Sequence, residues 1–204
     1  MQELTTDVVA CCWNDGGLPD LHNITWNASN PFVLSMYYRI FYQISLCNEF
    51  IRRSNATDIA GYDLKNEYIA EARALRLLSY YHAIDMFGNV PFSTENNSVG
   101  STGPEQIKRA DLFDWIVTEA KDLLDGSDLA EPGQNEYGRC DKGFVMMILA
   151  KMYLNAEVWT GTAMYSECAE VCEDIIEAYP ALHDKYSDLF CADNHLWTVN
   201  TTYG

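Results

Sequence analysis

The chain has 204 residues, of which 48% are apolar and 13% aromatic, enough to form a hydrophobic core and to exclude wholesale disorder. It carries 13 basic and 30 acidic side chains, a formal charge of −17, so its surface repels nucleic-acid phosphates and anionic lipid headgroups. We therefore predict no nucleic-acid partner and a ligand that is neutral or cationic. No stretch reaches the roughly 18 consecutive apolar residues of a membrane-spanning helix.

The cysteines and histidines do not form a recognisable metal-binding pattern. The chain has seven cysteines without a Cys-x-x-Cys pair and four histidines without a His-x-x-x-His pair, which disfavours a zinc site. Cys168 and Cys172 have a spacing that could hold a metal, but both fall on the apolar stripe of a predicted helix, and we expect them in the core. We predict neither a metal site nor a cofactor.

Helix signals begin after an irregular lead-in, residues 1–30, that contains the turn sequence Asn14-Asp-Gly-Gly17. Asn30 can cap a first helix that starts at Pro31 and ends near Arg53. A second helix is predicted from about Leu64 to Phe87, where Gly88 ends it and Pro91 prevents its continuation.

Three further helices follow, from about Asp111 to Leu124, from about Lys142 to Ala156, and from Tyr165 to Tyr179. Strand signals are nearly absent. We predict an all-α protein, a TPR-like helical repeat (an α/α superhelix) with a loop-rich N-terminal segment. Residues 1–194 form one helical region, with the lead-in at 1–30 and the helices within 31–180, and residues 195–204 form an atypical tail.

Three segments in a fixed order resemble the SusD/RagB family. They are Glu71-Ala-Arg-Ala-Leu-Arg76 continuing to Phe87-Gly-Asn-Val-Pro91, Gly138-Arg-Cys-Asp-Lys142 with Leu149-Ala-Lys-Met-Tyr-Leu154, and Tyr186-Ser-Asp-Leu-Phe190 followed by Asp193-Asn194. The likeness covers residues 2–194. The lead-in from Glu3 to Trp26 is most similar to the starch-binding branch, whose lead-in aromatic residues belong to the sugar site.

The resemblance implies a non-catalytic, surface-exposed lipoprotein of the outer membrane. Such a protein binds oligosaccharides, with starch or another α-glucan as the first ligand to test, and hands them to a TonB-dependent transporter of the SusC type. Members of the family are much longer and begin with a lipoprotein signal. We therefore expect that this chain is truncated at both ends and lacks the lipid anchor, and that its tail departs from the family after Asn194.

Trp13, Asn14 and Asp15 form the candidate glycan-binding site. Sugars stack their C–H faces on flat aromatic rings, and neighbouring amide and carboxylate groups take the hydroxyls. The position of Trp13 matches an aromatic of the starch-binding branch, whereas Cys11 replaces a neighbouring aromatic. The alternative is that Trp13 packs on the helical body as loop filler. In a sugar binder it should project into solvent, and in a scaffold it should be buried.

The other tryptophans have structural interpretations. We expect Trp26 to staple the lead-in to the first helix and Trp115 to lie in the core. Trp159 falls in the segment between the last two helices, and its pattern predicts more exposure, which makes it a secondary candidate for a sugar or transporter contact. The alternative, which we favour, is that it packs on the helical body.

Charged residues within the second helix predict a structural ion-pair network rather than a catalytic one, because Glu71, Arg73 and Arg76 lie among apolar neighbours. No acid–base pair can be placed from the sequence, so we predict no enzyme activity. The other functions that remain open are a TPR-like protein-binding scaffold without its own sugar site, a carbohydrate-active enzyme, and a nonfunctional gene remnant.

Overall fold

The lead-in contains one short helix that its sequence pattern did not indicate. The structure, a computed structural model, describes residues 2–57, 64–97, 100, 103–181 and 185–192. Helix α1 spans Leu18–His22 and follows Gly17, whose φ of 89° is in the left-handed region. A Cβ on Gly17 would lie 2.8 Å from Cδ of Pro31, so only glycine lets α1 approach the next helix this closely.

Helix α2, Pro31–Ala56, begins where the sequence predicted. The Asn30 side-chain oxygen accepts from the backbone N–H of Phe32 at 3.0 Å and of Val33 at 3.4 Å, which satisfies the first amides of the helix. Its side-chain nitrogen donates to the Gly17 carbonyl at 2.8 Å. Asn30 therefore both caps α2 and ties the lead-in to it.

Helix α3, Lys65–Phe87, also ends as predicted. Gly88 has a φ of 71°, and its N–H donates to the carbonyls of Ala83 and Ile84. The chain then forms strand β1, Val90–Pro91, which pairs antiparallel with strand β2, Gln106–Ile107. This two-residue pairing returns the chain to the start of the next helix.

The remaining helices are α4, Arg109–Gly126, α5, Lys142–Leu154, α6, Ala156–Thr160, and α7, Tyr165–Ala178, followed by a 3-10 helix, Tyr186–Phe190. The fourth predicted helix was expected to continue to Ala156, but α5 ends two residues earlier. The Asn155 side chain donates to the Lys151 carbonyl at 2.8 Å, and this local bond interrupts the helix before α6 begins.

Each long helix packs against the next one along the chain: α2 on α3, α3 on α4, α4 on α5, and α5 on α7. This order confirms the all-α, TPR-like class. Small residues permit the closest crossing, since a Cβ on Gly143 of α5 would overlap the Tyr179 ring that follows α7. Nearby, the buried Cys168 thiol donates to the Ala150 carbonyl at 3.4 Å.

The prediction that Cys172 lies in the core is wrong. Helix α7 turns towards α5 the side that carries Cys168, Val171 and Ile175, while Cys172 and Ile176 lie at the edge of that side and stay exposed. The apolar stripe of α7 is wider than the surface that α5 offers it, which the periodicity could not show.

A buried arginine joins three parts of the fold. The Arg76 guanidinium on α3 is 2% exposed and donates to Asn48 of α2 at 2.8 Å and to Glu119 of α4 at 3.0 Å. It also pairs with Glu95 in the segment after β1. Arg73, one turn earlier, forms a bidentate pair with Glu119 at 2.9 Å for each bond. These contacts agree with the predicted structural role of the charged motif.

The structure contains no helix, within its described residues, that is long and apolar enough to cross a membrane. The predicted motif residues Asp193 and Asn194 and the atypical tail 195–204 lie outside the described residues.

Replacing Leu77 with Asp should unfold the helical body, because Leu77 is fully buried on α3 and the new carboxylate would have no partner. We expect a loss of about 4 kcal/mol or more in unfolding free energy, measured by urea denaturation followed by circular dichroism. The matched control is Leu75→Asp, since Leu75 is exposed on the same helix. Equal losses for the two variants would contradict the assigned core.

Glu95 should make the stability depend on pH. Burial by itself would raise the pKa of Glu95, but the hydrogen bond and charge of Arg76 outweigh it and lower the pKa below the ordinary 4.5. As the pH falls, Glu95 is protonated in the unfolded chain near pH 4.5, before it is protonated in the folded protein. The stability that the Arg76–Glu95 pair contributes is therefore present above pH 4.5 and is lost as the pH falls through the lower folded pKa.

The unfolding free energy of the Glu95→Gln variant should therefore be lower than that of the parent by about 1–3 kcal/mol at neutral pH. On acidification, the unfolding free energy of the variant should fall less than that of the parent. Urea midpoints measured at neutral and acidic pH test this expectation. Glu105→Gln, at an exposed position, is the control. A parallel pH profile for Glu95→Gln and the parent would contradict the role of Glu95.

Candidate functional site

The candidate site residues lie together at the turn that leads into α1. The Leu18 N–H donates to the Asp15 carbonyl at 3.0 Å, which closes this turn. Trp13 keeps 75% of its surface exposed, and Asn14 and Asp15 are exposed beside it. The neighbouring Cys11 is half-buried. The turn thus presents an indole ring with an amide and a carboxylate close by in sequence, the groups that a sugar ring and its hydroxyls require.

The other tryptophans differ in how far they agree with their predicted environments. Trp26 is 39% exposed and lines a cavity with Val33 of α2, in keeping with its predicted place beside that helix. Trp115 is partly buried and packs edge-on against Tyr80, with ring centres 5.1 Å apart.

The predicted exposure of Trp159 is wrong, since it is only 7% exposed. Helix α6 packs on α4, so the Trp159 ring contacts Phe113 of α4 and Tyr81 of α3. The short helix α6, which was not predicted in the segment between the fourth and fifth predicted helices, is what buries this ring. Trp159 therefore does not present a sugar-stacking face.

A cavity of about 570 Å³ lies between the lead-in and the helices. Its volume is within the usual range of small-molecule sites. The walls combine aromatic and polar side chains from distant parts of the chain, among them Gln2, Glu3, Trp26, Tyr81, Asp85, Phe87 and Asn155. Sequence analysis did not identify this group, because nothing in their spacing indicates that residues 2–5, 26, 81–87 and 155 meet.

One hydrogen bond holds the lead-in over this cavity. Nε2 of Gln2 donates to Oδ2 of Asp85 on α3 at 2.7 Å. On α3 itself, burial raises the pKa of the Tyr81 hydroxyl, and the charge of Asp85 raises it further, so Tyr81 stays neutral across the physiological range. The cavity wall therefore combines a carboxylate, a neutral phenol and an indole.

Two segments that carry the family resemblance bond directly to each other. Nη2 of Arg139, in the second segment, pairs with Glu71 of the first at 2.8 Å and with Glu67 at 2.9 Å. Nδ2 of Asn135 also donates to Glu71 at 2.8 Å. These residues hold α3 to the loop before α5.

The residues that the structure describes contain no group of three or more His, Cys, Asp or Glu side chains that could hold a metal ion. Burial raises the pKa of Cys140 to about 11, with the charge of Glu71 as the next cause, so this thiol is protonated and unreactive at neutral pH.

Comparison with known proteins gives consistent relatives, although no family model matches the sequence. The chain is 32% identical over 194 residues to the starch-binding protein SusD of Bacteroides thetaiotaomicron, covering 94% of this chain and 34% of that protein. It is 24% identical over 173 residues to the SusD-like protein P25 of Formosa agariphila, covering 80% of this chain and 30% of that protein.

Solved structures show the same fold. A SusD-like carbohydrate-binding protein of Bacteroides fragilis superposes with a TM-score of 0.72 at 22% identity, covering 90% of this chain and 35% of that chain. A structure solved with a xylogluco-oligosaccharide gives a TM-score of 0.73 at 22% identity, covering 87% and 36%. The chain spans about a third of the length of these relatives. It is therefore similar in sequence to the starch-binding protein SusD and in fold to a SusD-like carbohydrate-binding protein.

Proposed function

We propose that this chain is the part of a surface glycan-binding protein that presents Trp13, Asn14 and Asp15 to an oligosaccharide. The observation that carries the proposal is the exposure of Trp13, 75% of whose surface is open in a chain with a substantial core. An exposed indole offers a flat face on which a sugar ring can stack, and the amide of Asn14 and the carboxylate of Asp15 follow it directly in the chain. The names of its relatives, which include a starch-binding and a carbohydrate-binding protein, support a sugar as that ligand.

The proposed role is non-catalytic capture. Trp13 supplies a stacking face, the Asn14 amide can donate and accept, and Asp15 can only accept from sugar hydroxyls. An α-glucan is the first ligand to test because of the similarity to a starch-binding protein. The xylogluco-oligosaccharide of a structural neighbour makes a β-glucan the second.

Trp13→Ala should weaken oligosaccharide binding by about tenfold or more, because the stacking contact is lost while the helices are untouched. Isothermal titration with maltoheptaose and with a xyloglucan heptasaccharide measures the change. Tyr137→Ala removes another exposed aromatic, from the loop between α4 and α5, and should leave the affinity unchanged. Equal affinities for Trp13→Ala and the parent would remove Trp13 from the site.

We also propose that α2 contacts a second protein, a TonB-dependent transporter, at the outer membrane. Supporting it is a row of exposed apolar side chains at four-residue spacing on that helix: Leu34, Tyr38, Tyr42, Leu46 and Phe50. Residues 31–48 contain no acidic side chain, in a chain that has 30. An uncharged apolar row on an acidic protein is typical of a surface that a partner covers.

The double variant Tyr38→Ser/Tyr42→Ser should reduce recovery of a SusC-like transporter from detergent-solubilised outer membranes by severalfold. The recovered transporter is identified by mass spectrometry, and Tyr137→Ser serves as the control. Unchanged recovery, or capture only of proteins that are not TonB-dependent transporters, would argue against this contact. Retained sugar binding by the double variant would separate the two activities.

A further inference from the structure

The cavity between the lead-in and the helices has aromatic walls that remain reachable. Trp26 keeps 39% of its surface exposed although it lines the cavity, and Tyr81 and Phe87 contribute further rings. The turn before Trp26 is fixed by the Thr25 N–H, which donates to the Asp20 carbonyl of α1 at 2.9 Å. The indole is thus held in place by local structure and still offers its surface to a ligand.

The polar groups of the cavity are mostly acceptors. Two amides of the wall each use one of their two N–H groups within the protein, from Gln2 to Asp85 at 2.7 Å and from Asn155 to the Lys151 carbonyl at 2.8 Å. The Thr5 hydroxyl donates to the Gln2 carbonyl at 3.4 Å. The carboxylates of Glu3 and Asp85 keep oxygens that can accept, and the described residues that line the cavity include no lysine or arginine.

A hydroxyl of the wall also has its hydrogen-bonding capacity free. Tyr81 is only 8% exposed, and its hydroxyl makes no hydrogen bond within the part of the chain that the structure describes. The buried side-chain atoms without a partner there are Nε of Arg76 and Nδ1 of His82, so the Tyr81 hydroxyl is open to solvent and can accept from a ligand. Nζ of Lys151 lies 5.8 Å from the centre of the same ring, so this ring already has one ammonium group beside it.

We propose that this cavity binds a protonated primary amine carried by a sugar, an amino-sugar unit of the captured glycan. An ammonium group has three donors and no acceptor, which complements two carboxylates and a phenol oxygen. Aromatic faces attract cations, and the net charge of −17 raises the local concentration of a cationic ligand. The proposal rests on the proposed glycan-binding function, and its site is separate from Trp13, which does not line the cavity.

The test is a fluorine NMR titration of the chain labelled with 5-fluorotryptophan. The five tryptophans give separate signals, which single Trp→Phe variants assign. The probes are a glucosamine pentamer, its fully N-acetylated counterpart, maltoheptaose, and butylamine. We expect the glucosamine pentamer to shift the Trp26 signal in a saturable way, the N-acetylated pentamer and maltoheptaose to leave it in place, and butylamine to shift it weakly.

Asp85→Asn should weaken the effect of the glucosamine pentamer on Trp26 by roughly tenfold, because the charge is lost while the side-chain oxygen can still accept from Gln2. Asp174→Asn, at an exposed position on α7, is the matched control and should change nothing. Thermal unfolding followed by circular dichroism checks that both variants are folded.

The outcomes distinguish this inference from the proposed function. A shift of Trp13 with any of the sugars, while Trp26 is unaffected by the glucosamine pentamer, would overturn the amine site and leave the Trp13 site standing. A Trp26 shift that the Asp85→Asn variant removes would support the amine site even if Trp13 does not respond. Equal Trp26 shifts with the free and the N-acetylated pentamers would overturn the requirement for a charge.

Discussion

The burial of the Arg76 charge is the constraint on which the helical body depends. A guanidinium that is 2% exposed must be neutralised where it lies, because water cannot reach it. Its partners come from three places: Asn48 on α2, Glu119 on α4, and Glu95 in the segment after β1. The geometry of this charge therefore fixes how the first three long helices and the β1 segment meet.

A second set of charges extends the same arrangement along α3. Glu71 forms an ion pair with Arg139 and accepts a hydrogen bond from Asn135, and both of these residues lie in the loop before α5. Charged side chains of α3 therefore also connect it to this loop. Residues of the first two segments by which the chain resembles its relatives thus make structural contacts. These contacts hold the helices together and carry no information about a ligand.

The exposed tryptophans among the described residues lie in the lead-in. This segment has one short helix and attaches to the body through a few contacts, such as Asn30 to Gly17 and Gln2 to Asp85. Such attachment leaves aromatic rings exposed at Trp13 and Trp26, whereas the tryptophans on the helical body are packed against other rings. In a protein built in this way, the helices supply the stability and the irregular segment carries the exposed aromatic rings. The sequence of that segment can therefore vary without loss of the fold.

The sequence by itself determined the helices and their class. Caps at Asn30 and Gly88 and apolar periodicity act within a few residues, so α2 and α3 begin or end where local chemistry requires. The charged motif was also recognisable as structural, because Arg73 and Arg76 recur on an apolar helix. Tertiary structure alone decided burial: Trp159 is covered because α6 packs on α4, and Cys172 is exposed because α5 covers only one side of α7. Tertiary structure also decided which distant side chains surround one cavity, among them Gln2, Trp26 and Asp85. Such contacts depend on packing between segments that are far apart in the chain, and they leave no periodic signal in the sequence.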